Sequence, residues 1–476
     1  MVRHPRYDAV VVGAGPNGLA AAITMAQAGR SVLLVEARDS IGGGTRTAEL
    51  TLPGFRHDVC SAVHPLAVAS PFFGSLDLKA NGVEWIYPSV PLAHPLDDEP
   101  AVLLTRSMDE TAHGLGVDAA AYVKLIECLL RKWNVLLPEL LRPLGFSRSP
   151  FLLLRFARLA LRPGRTVADS WFQGLRAKAL FAGTSAHAIF PLDLWSSAGF
   201  GLMLCLAAHA VGWPIAKGGS QAVADALGRY LIGLGGTMES GHPVTSLDEL
   251  RPARVYLLDV TPRQLASIAG SVLPETYLSR LRQHKHGPGV FKIDWALKRP
   301  IPWRDANCLK AGTLHLGGTL EEICDAEREV WEGIHPKKPF VLLSQPSLFD
   351  PTRAPAGMHT AWGYCHVPNG STVDMTAPIE QQVERFAPGF QSTILARHVM
   401  SPADMETYNA NYIGGDIAGG LQTFRQLFVR PLGRWSAYAT PMRGIYLCSS
   451  SMPPGGGVHG MCGHLAALRA LKEVLS

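Results

Sequence analysis

The sequence predicts an α/β fold: a parallel-sheet, dinucleotide-binding unit interrupted by a second, α+β unit with a mixed sheet and a helical lid. Three observations carry this. The chain opens on a strand, a glycine turn, a small-residue helix and a second strand, DAVVVGAGPNGLAAAITMAQAGRSVLLVEA from Asp8 to Ala37. It closes on a strand, a glycine loop and a helix, from Gly444 to Val474. Its 476 residues exceed what one core holds, since single cores stop growing at roughly 250–300 residues.

Each element of the opening has a physical task. Asp8 to Val12 is a short β-branched apolar run, the mark of a strand buried on both faces. It breaks at Gly13-Ala14-Gly15-Pro16-Asn17-Gly18, a GxGxxG turn. Leu19 to Ala28 is alanine-rich and helical, and Gly29 sits where a C′ glycine ends a helix. Ser31 to Val35 is a second strand, closed by Glu36. Gly13 permits the tight turn, Gly15 lets backbone approach a pyrophosphate, and Gly18 lets the helix lie close on the sheet. The helix start, with Pro16 and Asn17, offers N–H groups and a partial positive charge to phosphates. Glu36 is placed to accept hydrogen bonds from ribose hydroxyls. A glycine turn without this context would mean little; the flanking strand, helix and acid make the unit Rossmann-like.

Ala37-Arg38-Asp39-Ser40-Ile41-Gly42-Gly43-Gly44 follows at once. It gives a second backbone approach to the same cofactor, which an NAD site does not need. We therefore read the dinucleotide as FAD, with Ala37, Arg38, Gly42, Gly43 and Gly44 among its contacts. The stretch from Val10 to Gly44 resembles the opening of the glutathione-reductase-type FAD flavoproteins. Within them it most resembles the phytoene desaturase (carotenoid oxidoreductase) group, which includes the pyridine nucleotide-disulfide oxidoreductase domain-containing protein 2 type.

Two more segments share the resemblance. Near the end, GIYLCSSS from Gly444 leads into PPGGGVHGM from Pro453 to Met461 and a helix from Gly463 to Val474. The resemblance implies that Ser449, Ser450, Gly456, Gly457, Val458 and His459 run along the ribityl chain and flavin ring. In between, PIAKGGS from Pro214, a helix from Gln221 to Leu234, and Gly235-Gly236-Thr237 lead to Pro243-Val244. Val244 is implied to lie beside the adenine. Arg254 to Pro262 resembles the strand that closes this visit. The implied organisation is an FAD-binding domain at 1–80, 214–270 and 436–476 and a substrate-binding domain at 81–213 and 271–435. There are departures. Gly44 stands where an arginine often follows the glycine pair, with Arg46 two residues later. Ser449-Ser450-Ser451 replaces the usual Gly-Asp.

FAD carries the redox chemistry itself, so no catalytic triad is needed, and no HExxH, GxSxG or P-loop occurs. The interrupting segments are rich in Trp133, Trp171, Phe172, Trp195, Phe200, Trp213, Trp295, Trp303 and Trp362. They suit an apolar substrate tunnel and an ordinary core alike. Histidines are the natural proton handlers. The candidates are His57 and His64 just after the first FAD block, His187 in an apolar helix, and His459 in the final glycine loop. There a cationic or hydrogen-bonding group would stabilise reduced flavin. Asp58 either orients His57 or caps a helix, and His366 reads as a strand end. The expected function is an FAD-dependent oxidoreductase taking hydride from, or isomerising, an apolar or polyunsaturated molecule. Oxygen or a quinone is the expected acceptor, because no second GxGxxG unit serves NAD(P)H. A flavin amine oxidase is the alternative, although no aromatic cage or flavin-facing lysine is legible. A non-catalytic FAD-binding redox or interaction protein is the third reading.

Composition bounds the rest. A net charge of +5 is modest for this length, and no nucleic-acid module is recognisable. Arg155, Arg158, Arg162 and Arg165 cluster, which we read as a solvated face. None of the 8 cysteines forms a CxxC pair, so no metal is expected and the thiols suit a reducing cytoplasm. The first strand starts within about seven residues, leaving no room for a signal peptide. Leu194 to Ala216 carries no charge over about 23 residues. Its serines, glycines, histidine and proline mark a buried or cavity-lining helix rather than a span. Peripheral membrane contact stays open.

Overall fold

The computed structural model describes residues 7–143, 145–423, 426 and 437–476. The expected domain boundary at 435/436 lies outside the described residues.

The opening strand, Tyr7–Val12, is the middle of a five-stranded sheet. The order is Ile445–Leu447, Ala253–Leu258, Tyr7–Val12, Val32–Val35, Thr237–Glu239, and every pair is parallel. Its central strands read as continuous Val and Leu because both faces are covered. The helix Pro16–Gln27 starts three residues before the Leu19 expected from composition. Proline has no N–H to lose and a fixed φ, so it suits the first turn. Gly29 follows the helix with φ +70°. Gly18 is required by close approach: a Cβ there would lie 1.8 Å from the Gly13 carbonyl oxygen.

The second sheet has seven strands and is mixed. Its order is Ile394–Met400, Gly289–Leu297, His359–Val367, Val341–Ser344, Ala311–Leu316, Val90–His94, Val102–Leu104. All its pairs are antiparallel except Ala311–Leu316 with Val90–His94. The α/β class, with one parallel and one mixed sheet, is thus as expected. One face of the mixed sheet buries Ile293, Trp295, Val341 and Leu314 against Ile379, Val383 and Phe386 of the helix Thr376–Phe386. Register fixes what stands on the other face. Asp294, Trp362, Ser344 and Thr313 follow one another across the strands, and so do Lys292, Tyr364, Leu342 and His315.

Helices close over that polar face. Leu175–Ser185 and Ser197–Ala210 pack on one another, and Trp133–Leu140 and Pro150–Ala160 lie outside them. The uncharged stretch Leu194–Ala216 therefore holds a helix of 14 residues, not a span. It is broken at Ser196 (φ +77°) and followed by the short strand Ile215–Ala216. Among the described residues, no helix is long and apolar enough to cross a membrane.

Candidate functional site

The two sheets and the helical cover enclose one large cavity of about 970 Å³. One end lies at the tip of the second strand, where Glu36, Ala37 and Arg38 line it. The His242 N–H donates to the Glu36 carbonyl at 2.9 Å, which brings Pro243 and Val244 to the same place. Gly13, Gly15, Pro16 and Asn17 form the next stretch of wall, with Gly43 and Gly44 opposite. Then come Ser450, Gly456, Gly457, Val458 and His459 from the final loop. Beyond them the walls turn apolar: Phe156, Phe200, Met203, Leu204, Trp213 and Leu342. One groove thus joins three chain segments about 200 residues apart.

Three of the expected contacts stand behind the wall. The Gly18 N–H donates to Asp259 Oδ2 at 2.9 Å, and the Gly42 N–H to the Ala14 carbonyl at 2.8 Å. The Ser449 hydroxyl donates to the Val260 carbonyl at 2.6 Å. Glu36 is already well supplied with donors. Its Oε2 accepts from the Ala14 N–H at 2.8 Å, and its Oε1 from the Arg38 N–H and the Arg46 guanidinium, both at 3.0 Å. A carboxylate has roughly four acceptor sites, so one remains for a ribose hydroxyl. Arg46 is held by Glu36 and the Ser40 carbonyl and serves the protein, not a phosphate. An arginine at Gly44 has no room: even a Cβ would lie 2.2 Å from the Tyr412 hydroxyl.

The four histidines separate. His459 lines the cavity, and its Nδ1 accepts from the Met461 N–H at 3.0 Å. Burial pushes its pKa down to about 4, against backbone contacts that raise it. Of the two expected alternatives, a cationic or a hydrogen-bonding group, the neutral ring with an Nε2–H donor is the one this burial favours. His64 lines the cavity and donates from Nε2 to the Ser220 oxygen at 2.8 Å, because that hydroxyl already donates to the Ser61 carbonyl. Its Nδ1 has no partner among the described residues, and burial lowers its pKa to about 4. His187 lines the cavity too, from the short 3₁₀ turn Ala186–Ala188 that follows its helix rather than from the helix itself. His57 does not reach the cavity. It bonds Thr51 at 2.8 Å and faces Asp294 at 3.5 Å, with a pKa near 4 because burial outweighs that carboxylate. Asp58 turns away from His57. It accepts from Thr47, from Arg353 and from the N–H of Ser220, the residue before the helix Gln221–Gly233.

Of the aromatics singled out from sequence, Phe200, Trp213 and Trp362 line the cavity. Trp295 lies on the opposite sheet face, bonded to Glu380, and Trp195 is 62% exposed. Sequence reading missed a polar set on the cavity side of the mixed sheet. Trp362 and Tyr364 stack at 5.7 Å with a 9° interplanar angle. Lys292 is buried behind them, ion-paired to Asp294, its ammonium 5.6 Å from the Trp362 ring centre. The signal was present as a lysine and an aspartate two residues apart in an otherwise apolar strand, VFKIDWAL. Asp259 was also missed. It lines the cavity beneath the glycine turn, and burial raises its pKa to about 7, with the Glu36 charge adding and the Gly18 N–H opposing.

Fold and cleft together define a protein of the Rossmann-type dinucleotide-binding class. A family model described as an NAD(P)-binding Rossmann-like domain matches residues 11–72. The chain is homologous to pyridine nucleotide-disulfide oxidoreductase domain-containing protein 2 of Rattus norvegicus, 27% identical over 97% of this chain and 93% of that protein. This full-length relationship bears out the resemblance read from the sequence. Two solved structures share the fold. An oxidoreductase from Methanosarcina mazei has a TM-score of 0.64 at 16% identity, over 98% of this chain and 99% of that one. A putrescine oxidase bound to putrescine has a TM-score of 0.61 at 17% identity, over 98% and 99%.

Proposed function

We propose that the cavity holds FAD and that the protein is an FAD-dependent, phytoene-desaturase-like oxidoreductase acting on an apolar or polyunsaturated small molecule. The observation that carries this is the unbroken groove from Glu36 to His459. Glu36 and Val244 would take the adenosine end, Gly13 to Asn17 and Gly43 the phosphates, and Gly456 to His459 the ring. The stacking of two glycine turns fits the group: a Cβ on Gly43 would lie 3.0 Å from Gly15 Cα, so bare backbone faces the groove there. In this reading the segments bearing the parallel sheet form the FAD-binding domain and those bearing the mixed sheet the substrate domain.

Bound flavin supplies a two-electron sink. The chain's own residues do the rest. Phe156, Met203, Leu204 and Leu342 exclude water and give an apolar substrate its contact surface. The neutral Nε2–H of His459 offers a hydrogen bond at the ring end without a charge. A substrate that gives up a hydride toward the sink and a proton from the neighbouring carbon is desaturated, and oxygen or a quinone would restore the oxidised state; where the hydride returned to another carbon, the product would be an isomer and no acceptor would be consumed.

An amine oxidase is the second reading, favoured by the Trp362–Tyr364 stack with Lys292 behind it and by the shared fold with a putrescine oxidase. Charge argues against it. Among the described residues the only acids on the cavity wall are Glu36 and Asp259, both at the dinucleotide end, so a cationic amine finds no counter-charge. The place of action is proposed as the cytoplasm, with peripheral membrane contact. The helix Pro150–Ala160 turns Phe156 and Ala160 to the cavity and shows Phe151 (87% exposed), Leu154, Arg155 and Arg158 outside. Such a mixed apolar and basic face suits an anionic bilayer surface from which an apolar substrate enters.

The test is the visible spectrum of the purified protein, followed by anaerobic addition of carotenoids, unsaturated lipids and amines. Bleaching by the first two supports the proposal. Bleaching by amines alone favours the second reading. A yellow protein that none of them reduces favours the non-catalytic one.

A further inference from the structure

An acid stands where a dinucleotide's diphosphate would come to rest. Asp259 follows the strand Ala253–Leu258 and lines the cavity beneath the glycine turn. Its Oδ2 accepts from the Gly18 N–H at 2.9 Å and would lie 3.1 Å from a Cβ on Gly15, the glycine that leaves the groove floor bare. Its backbone is fixed on both sides: the N–H donates to the Val12 carbonyl at 2.8 Å, and the carbonyl accepts from Asn411 Nδ2 at 3.0 Å. Oδ1 makes no hydrogen bond among the described residues and is not sealed off from the cavity. Glu36 adds a second acid to the same stretch of wall. Two carboxylates and an anionic diphosphate repel one another in so narrow a place. The two arginines on the wall, Arg38 and Arg46, are turned to the Thr407 carbonyl and to Glu36. A protonated carboxyl removes the conflict. It carries no charge, and it turns its O–H outward because Oδ2 already accepts from Gly18.

We propose that Asp259 binds the diphosphate as a carboxylic acid, accepting from the Gly18 N–H at Oδ2 and donating from Oδ1 to a phosphate oxygen. The inference rests on the reading that the cavity holds a dinucleotide, and it makes retention of that cofactor depend on one proton. It also accounts for the helix start, where the Gly18 N–H is taken by Asp259, which in turn offers a donor to the ligand. The surroundings hold the proton. Burial pushes the Asp259 pKa up to about 7, with the Glu36 charge adding and the Gly18 N–H opposing. No cation faces it from the other elements around it. The Gly13–Gly18 turn has no ionisable side chain, and Arg263 on the following helix is 69% exposed and paired with Glu406. Cys448, after the strand Ile445–Leu447, is a thiol that burial holds well above its ordinary range. A bound diphosphate adds negative charge and holds the proton more tightly still. Above about pH 7 the free protein must therefore take up a proton to bind, and affinity falls about tenfold per pH unit.

The test is equilibrium dialysis of the full chain against FAD, and separately against NAD, from about pH 6 to about pH 9, where neither diphosphate titrates. Affinity should be level at the acid end and then fall about tenfold per pH unit. Asp259→Asn, which keeps an N–H donor at every pH, should bind with no such slope. The infrared spectrum of the nucleotide-loaded protein near neutral pH should show a carboxylic C=O band that this substitution removes. Affinity independent of pH in the unaltered chain, or a slope that survives Asp259→Asn, overturns the proposal. So does Mg²⁺ that restores binding at the alkaline end, since a cation rather than a proton would then stand between acid and diphosphate. The two readings fail separately. NAD retained with the slope and FAD refused sinks the flavin and keeps Asp259; FAD retained without the slope sinks only Asp259; neither retained sinks both.

Discussion

The parallel-sheet end and the mixed-sheet end of the cavity are built by opposite rules. At the first, contacts come from residues adjacent in sequence: one turn, Gly13 to Asn17, supplies a whole stretch of wall. At the second they come one or two per strand, so Thr313, Ser344, Leu342, Trp362 and Tyr364 meet only through register. The first presents bare backbone, which tolerates almost no side chain. The second presents side chains and keeps its polar groups by burying them in pairs. The lesson is that the backbone half of such a cavity is written locally and the side-chain half is written in strand pairing.

Changes at each end should therefore fail in different ways. The largest effect is expected at the mixed sheet. Lys292→Met leaves Asp294 buried with its cation gone, facing His57 at 3.5 Å and His398 at 3.6 Å, and should cost about 3–5 kcal/mol in urea unfolding. The double change Lys292→Met with Asp294→Leu should recover most of that. If the single change proves silent, the buried pair is not what orders this face. Next is Gly18→Ala, whose methyl meets the Gly13 carbonyl; about 3 kcal/mol of stability and the dinucleotide should go together. Retained cofactor in that variant would show the turn to be less tight than described.

A smaller effect belongs to Asp259. Its folded pKa, about 7, lies above the ordinary 3.8, so the folded state holds the proton more tightly than the unfolded chain. Its contribution is complete below about pH 4 and is lost as pH rises to about 7. Asp259→Asn should flatten that slope and raise stability above pH 7 by on the order of 2 kcal/mol. A stability-against-pH curve that the substitution leaves unchanged contradicts this. The smallest effect on folding is at the outer helix. Phe151→Ser with Leu154→Ser should stay within about 0.5 kcal/mol. The same pair should abolish co-flotation with anionic vesicles, and undiminished flotation removes the membrane face.

What the sequence made legible follows the same division. The glycine turn, Glu36, the return at Val244 and the closing Gly456-Gly457 loop could be read directly, since each is a local pattern with one physical purpose. His64, His187 and His459 were visible only as residue types. Their neutrality came from burial, which no local pattern reports, and His57 landed behind the wall because one residue on a strand decides the face. Lys292 and Asp294 were legible in principle, as two opposite charges at strand spacing within an apolar run.

The most direct test is cofactor content. Purified protein supplied with FAD and then desalted should be yellow, with one flavin bound per chain, and Gly18→Ala treated alike should be colourless. A native chain that stays colourless after the same treatment, while remaining folded, would contradict the claim that three distant segments converge on one flavin nucleotide.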